Sequence, residues 1–343
     1  MPDTDRLAEI LGDWYERRDR GEAIDPQDVI DAHPDLAEAL RARFAALEVV
    51  DLALDGALPK EAERPEAIGS YAVLGELGAG GMGRVFLAEG RGRASETQGR
   101  VALKLLHPHL LERPGFFKRF LREAQVGQEV RHDNVVRTLD CDAVRSDGVD
   151  HHFLVMEYVE GQTLAALLDD LERVPEELCR HIAGEVTKGL AAIHEAGVVH
   201  RDLKPENVLI TEDHRVKVMD LGVAHLADEA IRLSMTGHFV GSVEYAAPEQ
   251  FTGRGNGLDG RSDLYALGVV LYELATGRHP FRDENAKVVL HRILEERPRK
   301  AGELNPQLSP FFEELLDTLL AKVPDARFAS AKDLLEVLEG GEK

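Results

Sequence analysis

Cysteine is scarce in this 343-residue chain. The two residues, Cys141 and Cys179, stand far apart and outside any Cys-x-x-Cys spacing, which excludes a disulfide framework and a zinc ribbon and fits a reducing compartment. Positive charge is also in deficit, with 41 Lys and Arg against 63 Asp and Glu and a formal net charge of -22. Phosphate backbones attract basic surfaces, so nucleic acid is excluded as a partner, and the acidity reads as a solvated surface. No apolar run reaches the roughly 18 residues of a membrane-spanning helix. The opening MPDTDRLAEILGD lacks a basic stretch followed by an apolar core. No membrane span and no secretion signal are therefore expected, and the expected location is cytoplasmic. Repeats of about 20 to 50 residues and low-complexity blocks are absent as well.

What remains is an ordinary globular composition, 43% hydrophobic, long enough for a sizeable core and more than one folding unit. Leu7, Ile10, Leu11 and Trp14 recur at helical spacing, and a second stripe runs Leu36, Leu40, Phe44, Leu47, Val50, Leu54. Asp25 and Pro26 read as an N-cap followed by a proline in the first helical turn, and Gly56 as a helix stop. Residues 1 to 70 hold 18 acidic and 8 basic side chains and supply -10 of the total charge. The expected organisation is an acidic helical region over 1–55, a linker over 56–69 and a folded domain from 71.

From Tyr71 the pattern changes to short strand-like runs, YAVLGEL, GRVFLAE and RVALKLL, separated by glycine-rich turns. After about residue 160 helical patterns dominate, among them Pro175 to Ala196, where Ile182, Val186, Leu190 and Ile193 share a face before Gly197. Strands first and helices later predict two unlike lobes with a ligand cleft between them.

Gly78-Ala79-Gly80-Gly81-Met82-Gly83 is a GxGxxG run, in which missing Cβ atoms let backbone N–H groups approach phosphate oxygens. A dinucleotide loop needs a helix after the glycines, whereas Arg84 to Glu89 reads as a second strand. Lys104 ends an apolar strand, and Glu123 lies on a predicted helix about 20 residues further on, placed to pair with it. His200-Arg201-Asp202-Leu203-Lys204-Pro205-Glu206-Asn207 gathers an acid, a cation and an amide. Asp202 is suited to accept a hydroxyl proton, Lys204 to offset charge on a transferring phosphoryl group, and Asn207 to hold a metal ion. Asp220 follows the alternating run Arg215 to Met219 and so stands at a strand end, a carboxylate suited to magnesium. Ala247-Pro248-Glu249 closes a connection of about 30 residues, a length that is usually functional inside a compact domain.

Taken together, residues of about 71 to 338 resemble a eukaryotic-like (Hanks-type) serine/threonine protein kinase of the kind widespread in bacteria, with the family's motifs in its order. The resemblance implies an α+β, bilobal fold, with a β-rich N-lobe over about 71–159 and a helical C-lobe over about 160–338. It implies ATP and Mg2+ as cofactors, with Mn2+ as a substitute, and protein substrates in signal transduction. ATP would be lined by Leu77, Gly78, Ala79, Gly80, Gly81, Met82 and Gly83, by Val85 and Ala102 above the base and Leu209 below it, and by Met156 as gatekeeper with Glu157 and Val159 at the hinge. Lys104, paired with Glu123, would bind phosphates; Asp202 would be the base, helped by Lys204; Asn207 and Asp220 would hold the metal. Glu249 and Arg327 would form a structural ion pair. Lys204 and Ser242 resemble the serine/threonine-specific pattern. Arg201 beside Asp202 resembles kinases whose activation segment is ordered by autophosphorylation, with Thr236 and then Ser234 as acceptors and dimerisation as its setting.

Three departures stand out. Leu221 replaces the commoner phenylalanine, Gly241-Ser242-Val243-Glu244 replaces Gly-Thr-Pro-x, and Gly127, four residues after Glu123, stands where a larger apolar side chain normally packs against Glu123. Two other readings compete: an inactive pseudokinase scaffold, and a small-molecule phosphotransferase, against which Ala247, Pro248 and Glu249 argue.

Overall fold

Alternation of apolar side chains along three successive runs builds the first sheet of the domain. In this computed structural model the described residues are 64–80, 82–91, 99–111, 116–146, 149–220, 243–251, 258–283 and 285–340, with 26–34 and positions 10, 17, 36, 37 and 40 before them. The chain divides into two compact units, 1–65 and 66–343.

In the first unit, helix α1 (Pro26–Ala32) starts at the proline that the sequence places in a first turn. Leu36 and Leu40 of the second stripe are buried, and the Leu40 N–H donates to the Leu36 carbonyl as in a helix. Leu7, Leu11, Trp14 and the stripe from Phe44 to Leu54 lie outside the described residues.

In the second unit, a six-stranded sheet has the order β1-β2-β3-β4-β6-β5. Its strands are β1 (Ala67–Ile68), β2 (Tyr71–Gly80), β3 (Gly83–Gly90), β4 (Arg100–Leu106), β5 (Thr138–Ser146) and β6 (Val149–Glu157). All the pairings are antiparallel. Strand β1 falls within the expected linker, because two residues are too short to show a period. Side chains alternate between faces. Phe86, Ala88, Val101, Leu103, Phe153 and Val155 accordingly form one buried cluster on one side. Ala102, Leu154 and Met156 join Phe116, Phe120 and Ala124 on the other. These last three belong to helix α3 (Phe116–Glu129), which follows the short α2 (Pro108–Leu111).

Past β6 come β7 (Gln162–Thr163), α4 (Leu164–Asp170), α5 (Glu176–Glu195), β8 (Val208–Ile210) and β9 (Val216–Val218). Strands β7, β8 and β9 form a small second sheet. Helix α5 stops at Glu195, before the Gly197 that the sequence marks as its end, and buries Cys179, Ile182, Val186, Leu190 and Ile193. Helix α6 (Gly260–Thr276) is buried at every position from Ser262 to Thr276. A helix buried on every side belongs at the centre of a core, and α5 and the later helices α9 (Pro310–Leu319) and α10 (Ala331–Gly340) pack against it. Between them lie α7 (Ala286–Glu295) and α8 (Ala301–Leu304). Among the described residues no helix is long and apolar enough to cross a membrane.

Candidate active site

The register of three strands aims one face of the first sheet at the site. Val85 pairs with Lys104, Lys104 with Leu154, and Ala102 with Met156. One period-2 face therefore carries Val85, Ala102, Lys104, Leu154 and Met156. Val85, Val159, Leu209, Met82 and Met219 pack against the cluster that contains Ala102 and Met156. The residues expected around a base thus meet in one apolar patch, although Leu209 lies on β8 in the second sheet. Glu157 is tied down three times at this junction: its N–H donates to the Arg137 carbonyl at 3.0 Å, and its carboxylate accepts the Arg137 N–H at 3.1 Å and meets Lys217 Nζ at 2.6 Å.

The glycine run forms a hairpin, as the strand–glycine–strand reading requires. Ala79 pairs with Arg84 and Gly80 with Gly83. Leu77, Gly78, Ala79 and Gly80 are exposed, while Gly83 is buried because a Cβ there would overlap the Leu105 carbonyl. The His107 ring touches the Gly80 carbonyl at 3.2 Å and the His107 N–H donates to the Met82 carbonyl, so the residue after β4 holds both sides of the turn. Gly81 lies outside the described residues.

Lys104 is nearly buried, and its ammonium meets Asp220 Oδ1 at 2.7 Å. Burial alone would raise the Asp220 carboxyl, but the Lys104 charge outweighs it, with His200 and Lys204 adding to the effect, and holds the group below the ordinary carboxylate range. The backbone of Glu123 lies in α3, and its side chain is outside the described residues. Gly127, one turn on, is explained by Thr138 of β5: a Cβ on Gly127 would stand 2.5 Å from Thr138 Oγ1. Thr138 fills the volume that a larger side chain at 127 would take in the family pattern.

Asp220 is positioned through the residues before it. Val218 of β9 exchanges backbone hydrogen bonds with Asn134 and Val136, each 2.8 Å, which tie the α3–β5 connection to the second sheet. Met219 N–H donates to the Asn207 carbonyl at 2.9 Å, and the His200 ring bonds the Met219 carbonyl at 2.9 Å. The chain then turns through a φ of 62° at Asp220 itself.

The His200–Asn207 loop hangs from one buried carboxylate. Asp263 on α6 is fully buried and accepts the N–H groups of His200 and Arg201 at 2.8 and 2.7 Å and a contact from His194 at 2.7 Å. Within the loop, Asn207 Nδ2 donates to the Asp202 carbonyl at 2.8 Å and to Asp202 Oδ2 at 3.1 Å, and Lys204 Nζ lies 3.1 Å from the same oxygen. Asn207 therefore keeps its amide oxygen for another partner.

Glu249 and Arg327 meet as a two-bond pair at 2.7 and 2.9 Å. Ser234, Thr236 and Ser242 lie outside the described residues, as does Leu221. Sequence reasoning missed the roles of His194, Gln250 and the Tyr245–Glu273–Arg282 network, in which the tyrosine hydroxyl donates to Glu273 at 2.6 Å. A charged residue inside an otherwise apolar helix, as at Asp263 and Glu273, was the available signal. Two surface cavities, about 270 and 380 Å³, are lined by residues such as Arg173 and Arg278, and His132 and Glu185. Neither includes Lys104 or Asp220, so charge convergence and not void volume marks the site.

For a metal, the donors that the sequence suggests would be two side-chain oxygens, from Asn207 and Asp220. Among the described residues no group of three or more His, Cys, Asp or Glu is arranged to hold an ion. A hard cation bound by few protein oxygens and completed by phosphate and water fits that set.

A small β-rich lobe, a helical lobe, and a lysine, two acids and an amide brought together at their junction make up the arrangement of a protein kinase domain. The protein kinase domain model matches residues 71–337, and the chain belongs to the protein kinase family. It is 39% identical over 268 residues to the serine/threonine-protein kinase Pkn1 of Myxococcus xanthus, covering 76% of this chain and 37% of that protein. To PksC of Streptomyces coelicolor it is 37% identical over 283 residues (81% and 50%), and to PknB of Mycolicibacterium smegmatis 34% over 282 residues (80% and 44%). The chain thus spans half or less of the length of these serine/threonine-protein kinases. Among solved structures, the kinase domain of Mycobacterium tuberculosis PknI superposes with a TM-score of 0.61 at 26% identity, covering 80% of this chain and 96% of that one.

Proposed function

We propose that this chain transfers the γ-phosphoryl group of Mg-ATP to serine and threonine hydroxyls of proteins. The observation that carries the reading is the 2.7 Å Lys104–Asp220 pair, which draws the cation of the first sheet to the acid at the end of β9, beside the Asp202–Asn207 loop. In this account Val85 and Ala102 cover adenine from above and Leu209 from below, with Met156 behind. The Glu157 N–H is already bonded to Arg137, so a contact to adenine there falls to its carbonyl, with Val159 supplying an N–H.

Leu77 to Gly83 lie over the phosphates, and Lys104 contacts them. Asn207 and Asp220 hold Mg2+, for which Mn2+ substitutes; the ion offsets phosphate charge when bound. Asp202 takes the proton from the acceptor hydroxyl as its oxygen attacks the γ-phosphorus and the bond to the β-phosphate oxygen breaks. Lys204 offsets charge on the moving group. Lys204 and Ser242 favour serine and threonine as acceptors, and Thr236 or Ser234 is the site of autophosphorylation between paired copies. A cytoplasmic location and protein substrates in signalling complete the proposal.

The test is Asp202→Asn. Its transfer rate is expected to fall by roughly a hundredfold or more while ATP affinity is nearly unchanged. Undiminished transfer would reject Asp202 as the base. Absence of transfer in the wild type, with ATP still bound, would favour the scaffold reading.

A further inference from the structure

Gln250 closes the short turn Pro248–Gln250 and is 9% exposed. The two ends of its amide have different partners: Oε1 accepts the Ala247 N–H at 2.8 Å, and Nε2 donates to the Arg201 carbonyl at 3.2 Å. Arg201 is one of three non-glycine residues with positive φ among the described residues, at 64°. Such a backbone state persists only where its surroundings over-determine it. Asp263 holds the N–H side of Arg201 at 2.7 Å, and Gln250 holds the carbonyl side. That carbonyl belongs to the peptide unit that leads into Asp202.

We propose that Gln250 is a positioning residue for phosphoryl transfer: through the Arg201 carbonyl it ties the Ala247–Glu249 segment to the loop of Asp202 and fixes the direction in which that carboxylate leaves the backbone. The inference rests on the reading of Asp202 as the base. It gives the segment a physical line to the base that runs through the backbone and involves no contact with nucleotide. The competing role is a local staple for the turn, in which only the Ala247 bond matters.

Gln250→Glu separates the two roles, since a carboxylate oxygen still accepts the Ala247 N–H but, when ionised, donates nothing to Arg201. Gln250→Met removes both bonds without adding charge. In the 343-residue chain, both variants are expected to lower kcat about 10- to 100-fold, the scale of a small misplacement of a catalytic group, with KM for ATP changed by less than about twofold. In an Asp202→Asn background the same changes should add almost nothing, because the group they position is gone. Wild-type kcat in Gln250→Glu, or a full multiplicative loss on top of Asp202→Asn, overturns the proposal. Amide hydrogen exchange over residues 200–207 reads the tether without any catalysis. Faster exchange in both variants supports the tether and unchanged exchange overturns the proposal; faster exchange with no transfer by the wild type leaves the tether standing but overturns its role in phosphoryl transfer together with the kinase reading.

Discussion

Replacing Arg327 with methionine should be among the most damaging single changes to the domain. The Arg327 side chain is 0% exposed and donates to the carbonyls of Ala321, Arg261 and Lys322 as well as to both oxygens of Glu249. Its guanidinium also lies 4.8 Å over the Tyr265 ring. Methionine fills much of the volume but leaves Glu249 with the Ser262 hydroxyl at 2.7 Å as a remaining partner. Breaking a buried pair by removing one member costs about 3–5 kcal/mol, because the other charge stays buried. For a domain of this size that is a fall of about 10 °C in melting temperature. Removing both charges, as Glu249→Leu with Arg327→Met, should cost less than the sum of the single changes by about 2 kcal/mol.

The pair also carries a pH signature. Burial pushes the Glu249 carboxyl up, but Arg327 overcomes it and the net shift is downward from 4.5. A carboxylate with a depressed folded pKa contributes stability that is complete above about pH 4.5 and is lost as pH falls through the folded value. Arg327→Met should flatten that part of the profile. The only tryptophan, Trp14, lies in the first unit, so urea unfolding is best followed by far-ultraviolet circular dichroism of the helical lobe. A loss below about 1 kcal/mol, or strict additivity of the two single changes, would refute the reasoning.

Gly127→Ala should destabilise the first lobe by about 1–3 kcal/mol through overpacking against Thr138, and Thr138→Ala in the same chain should restore part of it; thermal unfolding checks both. Lys322, with its ammonium 4.0 Å over the Phe281 ring, is pushed down from 10.5 to about 8 by burial and then by Arg327. Between those two pH values the unfolded chain holds a proton that the folded chain has released, so stability gains with rising pH there. In Lys322→Met that gain should be missing, as denaturation near either end of the window would reveal.

How much of this was legible in the sequence depends on how local each feature is. Asp202, Lys204 and Asn207 sit within one octapeptide, and Asp220 follows a run whose alternation marks a strand. The strands of the first sheet were readable as short runs between glycine-rich turns: β2 alternates at its start, with Tyr71 and Val73 buried, whereas β4 is buried on both faces from Val101 to Lys104 and reads as a nearly continuous apolar run. The direct bond between Lys104 and Asp220 was not readable, since both were expected near phosphate and nothing in the spacing orders them against each other. Gly127 and Thr138 illustrate a different limit: complementary volumes on two elements appear in a sequence only as one residue that looks too small. Gln250 leaves no pattern at all, because a side-chain amide bonding two backbone groups imposes no periodicity. Asp263 and Glu273 went unread, although a charge within the apolar run of α6 was a signal that could have singled them out; their partners needed the fold.

The central claim is tested most directly by incubating the 343-residue chain with γ-labelled Mg-ATP and a mixed protein substrate, then hydrolysing the product for phosphoamino-acid analysis. The account predicts label in phosphoserine and phosphothreonine, and nearly none when Asp202→Asn replaces the wild type. Label confined to tyrosine or to a small molecule, or equal label from the two proteins, would contradict it.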